Sequence, residues 1–459
     1  MTDVVAKLWG FCDYLRHDGM NYGLYIEQLT YLLFLKMTSE KEIKLPKGCN
    51  WNELIQYSGS DLLDEYEKVL KVLGKEKGNL GDIFIGSKSQ FKKAVNLKKL
   101  LNLMDEIEWT EIDVDIKGAA YEGLLEKYAA DEKGAGQYFT PRPLIRSIVR
   151  CVQPDFVKIP DYTIHDPACG TCGFLIGAFE WIKKQNDGGS KLKVSDRERL
   201  IKKTFSGGEL VESTRRLGLM NCFLHEIEPQ IYLDSSISDG PHVSKRYNLI
   251  LTNPPFGSSG AGSESGRADF LYQTTNKQLN FVQHVMTILK PGGQCAMIVP
   301  DNVLFDSSGE GIRQNLLKQC DLHTILRLPD GTFVPYANAK ANVLFFIKGR
   351  QTKQTWIYDL RTNIPNIRKG NQLSEKLFSD FEKCYLQKPR NKTERFKSFS
   401  YDDLLKKDKT SLDIFCLKDE SLANTKNLLS PQEIAEDIRD DLKTALNLVN
   451  ELITNIEKK

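Results

Sequence analysis

Hydrophobic residues recur at helical spacing through the first part of the chain. Representative positions are Leu29, Leu32, Leu33, Leu62, Leu63, Tyr66, Val69, Leu70, Leu97, Leu100 and Leu101. Steps of three and four residues place such side chains on one face of a helix. Because few β-branched runs interrupt this pattern, it predicts an all-α N-terminal domain over residues 1–130.

From about residue 160, short apolar strands alternate with amphipathic stretches. The predicted strands lie at 162–164, 205–206, 230–232, 249–251, 296–299, 324–326 and 343–347. This alternation is typical of a mostly parallel sheet covered by helices on both faces, that is, a Rossmann-like α/β fold. We expect a seven-stranded sheet within a domain at 131–415, and we expect its final strands to pair antiparallel.

The end of the chain forms a third predicted unit, residues 416–459. Ser430 suits a helix N-cap, Pro431 the first helical position and Glu433 a capping box. Apolar residues then alternate by four and three at Ile438, Leu442, Ala445, Val449, Leu452 and Ile456. Such a seam indicates either a coiled coil for subunit association or a terminal helix packed on its own domain.

Composition limits the possible partners. Lys and Arg number 63 against 61 Asp and Glu, which gives a net charge of +2. Such a balance is a weak electrostatic footprint for a protein that grips DNA alone, so a nucleic-acid role needs a partner or a local basic surface. The ten cysteines are scattered and no signal peptide is evident, which predicts reduced thiols and a cytoplasmic protein. Apolar runs are too short for a membrane span.

The tetrapeptide Asn253-Pro254-Pro255-Phe256 directly follows the apolar run 247–252. Two prolines end a strand and fix the backbone, so the Asn amide and the aromatic ring lie at the strand's carboxyl end. An amide oxygen and a proline-locked carbonyl can accept both protons of a planar NH2 group, and the ring can stack on its heterocycle. The alternative is a Pro-Pro turn that ends a strand beside a core Phe.

A glycine-rich loop, residues 166–175, follows the first predicted strand. Its glycines allow close approach of the backbone to a ligand, and Gly170 and Gly173 do not fit the dinucleotide pattern G-x-G-x-x-G. With Asp166 ahead of it, the loop suits a ligand that carries an ammonium group and ribose hydroxyls. Cys169 and Cys172 form a C-x-x-C pair without a second pair, so we predict no metal site and no redox role.

Two further segments carry candidate binding residues. Glu209 lies just past the next strand, where a carboxylate can accept both ribose hydroxyls; the alternative is a solvated loop residue. Residues 134–143 join the helical part to the sheet and also serve as a proline-rich linker.

The tetrapeptide resembles the catalytic motif of amino methyltransferases, and the order of all four motifs resembles that of adenine-N6 methyltransferases. Segments 12–16, 32–36 and 328–336 and the C-terminal helix resemble type I restriction-modification modification (M) subunits. The resemblance implies S-adenosyl-L-methionine as cofactor, with Asp234 at its adenine edge, and many members have Gly at the position of Cys172. It implies catalytic roles for Asn253, Pro254, Pro255 and Phe256. The cofactor-binding residues that it implies are Gln137, Tyr138, Phe139, Thr140, Pro141, Asp166, Ala168, Gly170, Thr171, Gly173, Glu209 and Asp234.

The implied activity is methyl transfer to N6 of adenine in double-stranded DNA, with a flipped base stacked on Phe256 and its N6 held by Asn253 and the Pro254 carbonyl. The resemblance implies a specificity (S) subunit and a restriction (R) subunit as partners. No segment after the sheet is large enough for a recognition domain, which favours a separate subunit that reads the DNA sequence. The alternatives are methylation of cytosine N4 or of protein glutamine, or a non-catalytic scaffold that binds the cofactor.

Overall fold

The computed structural model describes residues 22–109, 121–123, 139–256, 267–334, 339–368 and 373–418, with isolated positions 10, 20, 125, 432, 435, 439, 442 and 446. Segment 12–16, Gln137, Tyr138 and most of the predicted C-terminal seam lie outside the described residues. Leu442 is the seam position that is described, and its side chain is exposed.

Five helices form the described part of the N-terminal region. They are α1 (Tyr22–Glu40), α2 (Trp51–Leu54), α3 (Gly59–Leu73), α4 (Asn79–Phe84) and α5 (Ala94–Asp105). Of the representative apolar residues that predicted helices, all but the half-buried Leu63 are buried, and Leu62, Tyr66 and Leu70 on α3 are inaccessible to solvent. Spacing of three and four residues therefore predicted both the helices and their buried faces.

Nine strands form one sheet in the order β3-β2-β1-β4-β5-β7-β6-β8-β9. The strands are β1 (Ile164–Asp166), β2 (Phe205–Glu209), β3 (Gln230–Leu233), β4 (Tyr247–Thr252), β5 (Leu289–Pro300), β6 (Cys320–Arg327), β7 (Ala341–Lys348), β8 (Gln354–Asp359) and β9 (Phe396–Ser400). The prediction of seven strands was wrong, because β8 pairs with the outer side of β6 and β9 extends the same edge.

The pairs that β1 to β5 form with one another are all parallel, as predicted. The strand β7 is antiparallel to both β5 and β6, which confirms the expected antiparallel pairing near the end of the sheet. In the order 3-2-1-4-5, the direction of winding reverses between β1 and β4. Open α/β sheets bind ligands at such a reversal, outside the carboxyl ends of the strands.

Helices cover both faces of the sheet. They are α6 (Arg142–Val152), α7 (Gly173–Gln185), α8 (Val194–Lys202), α9 (Glu212–Leu224), α10 (Lys277–Ile288), α11 (Asp301–Phe305), α12 (Glu310–Gln319), α13 (Ser379–Leu386) and α14 (Tyr401–Leu405). Successive residues of β4 serve opposite faces: Leu249 and Leu251 belong to one buried cluster and Ile250 to another. Burial on both faces explains why this strand reads as a continuous apolar run.

The helix α9 joins the sheet to the N-terminal helices. Arg216 is buried, donates to the Ile83 carbonyl at 2.8 Å and contacts Glu27 of α1. Its neighbour Arg215 contacts Asp82 of α4 and donates to the Ile231 carbonyl of β3 at 2.9 Å. Within the described ranges, no helix combines the length and apolar character that crossing a membrane requires.

Candidate active site

A cleft of about 1010 Å³, including its opening to solvent, lies at the carboxyl ends of β1, β2 and β4. This is the point where the winding of the sheet reverses. The predicted site residues that line it are Thr140, Asp166, Ala168, Gly170, Thr171, Gly173, Glu209, Asp234, Asn253 and Pro255. Residues separated by more than 110 positions in the sequence therefore meet in one cleft.

The other described site candidates do not line the cleft directly. Phe139 and Pro254 are buried, and Pro141 precedes α6, where its carbonyl accepts from the backbone of Leu144 and Ile145 at 3.1 Å each. Phe256 is half-buried. Each of them is adjacent in sequence to a residue that does line the cleft.

Asp166 is buried at the end of β1. Its Oδ1 accepts hydrogen bonds from Thr252 Oγ1 at 2.6 Å and from the Ala168 backbone at 3.0 Å. Burial raises the pKa of Asp166 to about 8, although both hydrogen bonds act in the opposite direction. The carboxyl therefore holds a proton near neutral pH until a cation approaches it.

Glu209, at the end of β2, anchors the glycine-rich loop. Its Oε2 accepts from the Gly170 backbone at 3.1 Å, and its Oε1 accepts from the Val211 backbone at 2.8 Å. Burial raises the pKa of Glu209 to about 7. The same carboxylate thus fixes the loop and faces the cleft.

Two positions of the glycine-rich loop have a left-handed backbone conformation. Gly170 has φ +51° and Cys172 has φ +64°, a conformation that glycine adopts without a steric penalty. The Cys172 side chain is buried against α9, where a Cβ built on Gly218 would come within 2.9 Å of its Sγ. Gly218 therefore provides the space for the cysteine. In the part of the chain that the structure describes, no three His, Cys, Asp or Glu side chains are grouped to hold a metal.

Asp234 follows β3 at the rim of the cleft. Its side chain is exposed and accepts from the Ser235 backbone at 2.7 Å, and its backbone N–H donates to the Glu209 carbonyl at 3.1 Å. It therefore lies beside Glu209, at the solvent side of the cleft.

The Asn253 side chain has one end bound and one end without a partner. Its Nδ2 donates to Thr140 Oγ1 at 3.1 Å. Its Oδ1 is buried and has no hydrogen-bond partner among the described residues. Because a buried polar atom without a partner is costly, this acceptor suits a donor supplied by a ligand.

Other residues of this region were not predicted to have roles, among them Phe333, Lys277 and Phe281. The Phe333 ring packs edge-on against Phe256, with ring centroids 5.4 Å apart and an interplanar angle of 88°. Lys277 and Phe281, four residues apart on α10, line the cleft. Phe333 lies in segment 328–336, which carried a resemblance, whereas the spacing of Lys277 and Phe281 is common to any helix face.

The cleft fits the cofactor that the motifs imply. It presents three acidic residues, Asp166, Glu209 and Asp234, to a cationic ligand with hydroxyl groups. It also offers glycine backbone that a ligand can approach closely and a buried acceptor at Asn253 without a partner among the described residues. Together with the doubly wound sheet, these features define an S-adenosylmethionine-dependent methyltransferase.

Comparisons with known proteins identify the family. A family model described as N-6 DNA Methylase matches residues 112–414, and one described as HsdM N-terminal domain matches residues 4–107. The StySJI type I restriction enzyme methylase subunit of Salmonella typhimurium is 37% identical over 99% of this chain and 95% of its own length. The chain belongs to the N-6 DNA methylase family and, within it, to the methylase subunits of type I restriction enzymes.

Solved structures of type I restriction-modification proteins are also similar to this chain. The EcoKI M protein is 33% identical, with 99% of this chain and 96% of that chain covered and a TM-score of 0.57. A structure described as showing complex assembly and conformational transition of the type I R-M system is 26% identical, covers 100% and 99%, and has a TM-score of 0.75. The protein is thus an adenine-specific DNA methyltransferase that uses S-adenosyl-L-methionine and belongs to a multi-subunit complex acting on DNA.

Proposed function

We propose that Asn253, Pro254, Pro255 and Phe256 carry out adenine N6 methylation at DNA sites that a separate specificity subunit selects. The observation that carries this proposal is the Asn253 amide. Thr140 holds its Nδ2, so its buried Oδ1 is left as an acceptor at the cleft wall. An exocyclic amino group is a donor that satisfies it.

We assign the cofactor to the cleft that Asp166, Ala168, Gly170, Thr171, Gly173, Glu209 and Asp234 line. In this assignment Asp166 attracts the ammonium group, Glu209 accepts the ribose hydroxyls and Asp234 lies at the adenine edge. Phe139, Thr140 and Pro141 support the wall opposite, and we assign Gln137 and Tyr138 to the same segment. When bound, S-adenosyl-L-methionine supplies an electrophilic methyl group.

The protein's part in the reaction is to hold the amino group of adenine. A base inside a duplex is inaccessible, so the target must leave the stack. We propose that it stacks on Phe256, whose edge-on contact with Phe333 keeps the ring in place. Asn253 Oδ1 and the Pro254 carbonyl then accept hydrogen bonds from the N6 amino group. These bonds raise the electron density on N6, whose lone pair is otherwise delocalised into the adenine ring. Positioning and electrostatics supply the acceleration, and no covalent intermediate with the enzyme is required.

Assembly completes the proposal. A near-neutral net charge of +2 supports reliance on partners for DNA affinity, so we propose an S subunit as the reader of double-stranded DNA and an R subunit in the full complex. We propose that residues 416–459 mediate subunit association; the described tail positions Leu442 and Leu446 are 64% and 60% exposed.

We propose that the chain is divided into three domains at residues 1–130, 131–415 and 416–459. The two family models match residues 4–107 and 112–414, which supports a boundary between the helical and the catalytic domain. Free thiols at all nine described cysteines support a reducing compartment, and we propose the cytoplasm.

The test is transfer of a radiolabelled methyl group to duplex DNA by this chain mixed with its specificity subunit. Asn253→Ala should lower the rate by about a hundredfold or more, because it removes the acceptor that acts on N6. Its affinity for the cofactor should be close to that of the unaltered chain. Full activity of Asn253→Ala would contradict the proposed mechanism.

A second variant separates catalysis from folding. Phe256→Ala should reduce methyl transfer more than cofactor binding; an equal loss of both would indicate that the ring only supports the fold. Assays of DNA and of protein as methyl acceptors distinguish adenine methylation from methylation of glutamine.

A further inference from the structure

The turn after β4 has few backbone groups by which it can be held. Pro254 and Pro255 carry no N–H, so neither can donate a hydrogen bond. Their carbonyls are the groups that remain available. The Pro255 carbonyl accepts from Gln278 Nε2 at 3.1 Å. This bond connects the catalytic tetrapeptide to a helix that carries no part of the recognised motifs.

Gln278 is itself fixed in place. Its side chain is buried, with 3% of the residue exposed, in the first turn of α10. The Asn276 side chain caps this helix and accepts from the backbone of Gln278 at 3.0 Å and of Leu279 at 3.2 Å. A donor on a capped helix has little freedom to move, which is the property that a supporting residue requires.

The same helix also holds the chain beyond residues 257–266. Arg267 is buried, donates to Asp269 Oδ1 at 2.8 Å and contacts His284 Nδ1 on α10. Gln278 and His284 are six residues apart, about 9 Å along the helix axis. The chain is therefore attached to α10 on both sides of that segment.

We infer that Gln278 is a positioning residue for methyl transfer. By holding the Pro255 carbonyl, it fixes the turn so that Asn253 Oδ1 and the Pro254 carbonyl face the amino group of the target base. This inference rests on the proposed roles of Asn253 and Pro254. We assign the cofactor to the loops after β1 and β2. Among the described residues, the Gln278 side chain donates to the Pro255 carbonyl of the turn after β4. Loss of the Gln278 amide should therefore lower the rate and leave cofactor binding intact.

Gln283 provides a matched control on the same helix. It is 5% exposed, and its side chain bonds to the backbone of Tyr272, at 2.8 Å and 3.0 Å, and not to the tetrapeptide. Gln278→Met and Gln283→Met remove the same amide from two similarly buried positions. They should lower the melting temperature by similar amounts, so any effect specific to Gln278 is separated from general destabilisation.

The experiment uses the chain in complex with its specificity subunit and duplex DNA. Gln278→Met should lower kcat by about tenfold to a hundredfold, with the Kd for S-adenosyl-L-methionine unchanged within about twofold. Gln283→Met should retain kcat. Gln278→Glu should regain activity relative to the unaltered chain as the pH is lowered, because a protonated carboxyl can donate to the Pro255 carbonyl and a carboxylate cannot.

The outcomes separate this inference from the proposed function. An unchanged kcat for Gln278→Met, or equal losses for the two methionine variants, would overturn the positioning role while Asn253→Ala remained inactive. If Asn253→Ala were also fully active, the proposed catalytic turn itself would be wrong. A loss confined to Gln278→Met, with pH-dependent recovery in Gln278→Glu, supports the inference.

Discussion

Thr252 Oγ1 donates a 2.6 Å hydrogen bond to Asp166 Oδ1, and both residues are buried. Thr252 is the last residue of β4 and directly precedes Asn253, whereas Asp166 ends β1. The bond therefore crosses the point where the winding of the sheet reverses. It joins the end of the strand that carries the proposed catalytic turn to the proposed ligand of the cofactor's ammonium group.

Thr252→Val should weaken cofactor binding, because it removes this hydroxyl while nearly preserving side-chain shape. Hydrogen bonds to charged groups contribute about 1.5–3 kcal/mol. Without the hydroxyl, the pKa of Asp166 should rise further, since the bond from Thr252 lowers it. Isothermal titration near neutral pH should therefore show about tenfold weaker affinity for S-adenosyl-L-methionine.

The control for this prediction is Thr252→Ser, which keeps the hydroxyl and loses one methyl group. Its cofactor affinity should remain close to that of the unaltered chain. Equal losses in the valine and serine variants would assign the effect to packing, and the hydrogen bond would then have no role in binding.

Cofactor affinity should depend on pH through Asp166. Burial raises its pKa to about 8, so below that pH the carboxyl is mostly protonated and must lose its proton before it pairs with an ammonium group. Between about pH 8.5 and about pH 6.5, affinity should fall about twentyfold through this group. Titrations of both the unaltered chain and Asp166→Asn measure the effect.

The ratio of the two affinities is the informative quantity. The cofactor's own amino group titrates near pH 8, and this contribution is common to both proteins. The advantage of the unaltered chain over Asp166→Asn should therefore shrink as the pH falls. A ratio that stays constant across this range would contradict a protonated Asp166 in the free protein.

Acid should destabilise the fold through His165 of β1. Burial lowers its pKa to about 3, and its ring stacks on Tyr247 with centroids 4.0 Å apart. A histidine buried in neutral form contributes stability above its unfolded pKa of about 6.5, and this is lost as the pH falls toward the folded pKa. At about pH 5 the loss through this group should reach about 2 kcal/mol in the free energy of unfolding.

Urea denaturation of the unaltered chain and of His165→Gln between about pH 6.5 and about pH 5 measures this loss. The variant should show a smaller decrease in stability as the pH falls. Other buried groups, including His284 and Asp166, titrate in both proteins, so the difference between the two slopes isolates His165. Identical slopes would show that His165 does not contribute.

The sequence predicted the parts of the fold that rest on local pattern. Buried parallel strands such as β4 are continuous apolar runs, and helices such as α3 have a regular apolar face. The outer strands β8 and β9 were missed. Three of the five residues of β9, Phe396–Ser400, are polar, and its partner β8 lies 37 residues or more away in the sequence, so the pairing depends on tertiary contacts.

The candidate active site was likewise predicted where sequence motifs mark it and missed where it depends on tertiary contacts. Motif order predicted ten residues that line one cleft, because strand ends in a parallel sheet meet at one edge. The partners that hold these residues were not evident. Thr252 reads as part of an apolar strand, and Gln278 reads as an ordinary helix residue. Their roles depend on which side chains meet in three dimensions, which spacing along one element does not reveal.

The helix α9 has a consequence for communication between the two ends of the molecule. Its arginines bind α1, α4 and β3, while Gly218 on the same helix accommodates Cys172 of the cofactor loop. One helix therefore contacts both the N-terminal helices and the loop. Linkage between binding events is reciprocal. We expect that a partner whose binding moves α9 changes cofactor affinity, and that the cofactor then changes the affinity for that partner by the same factor.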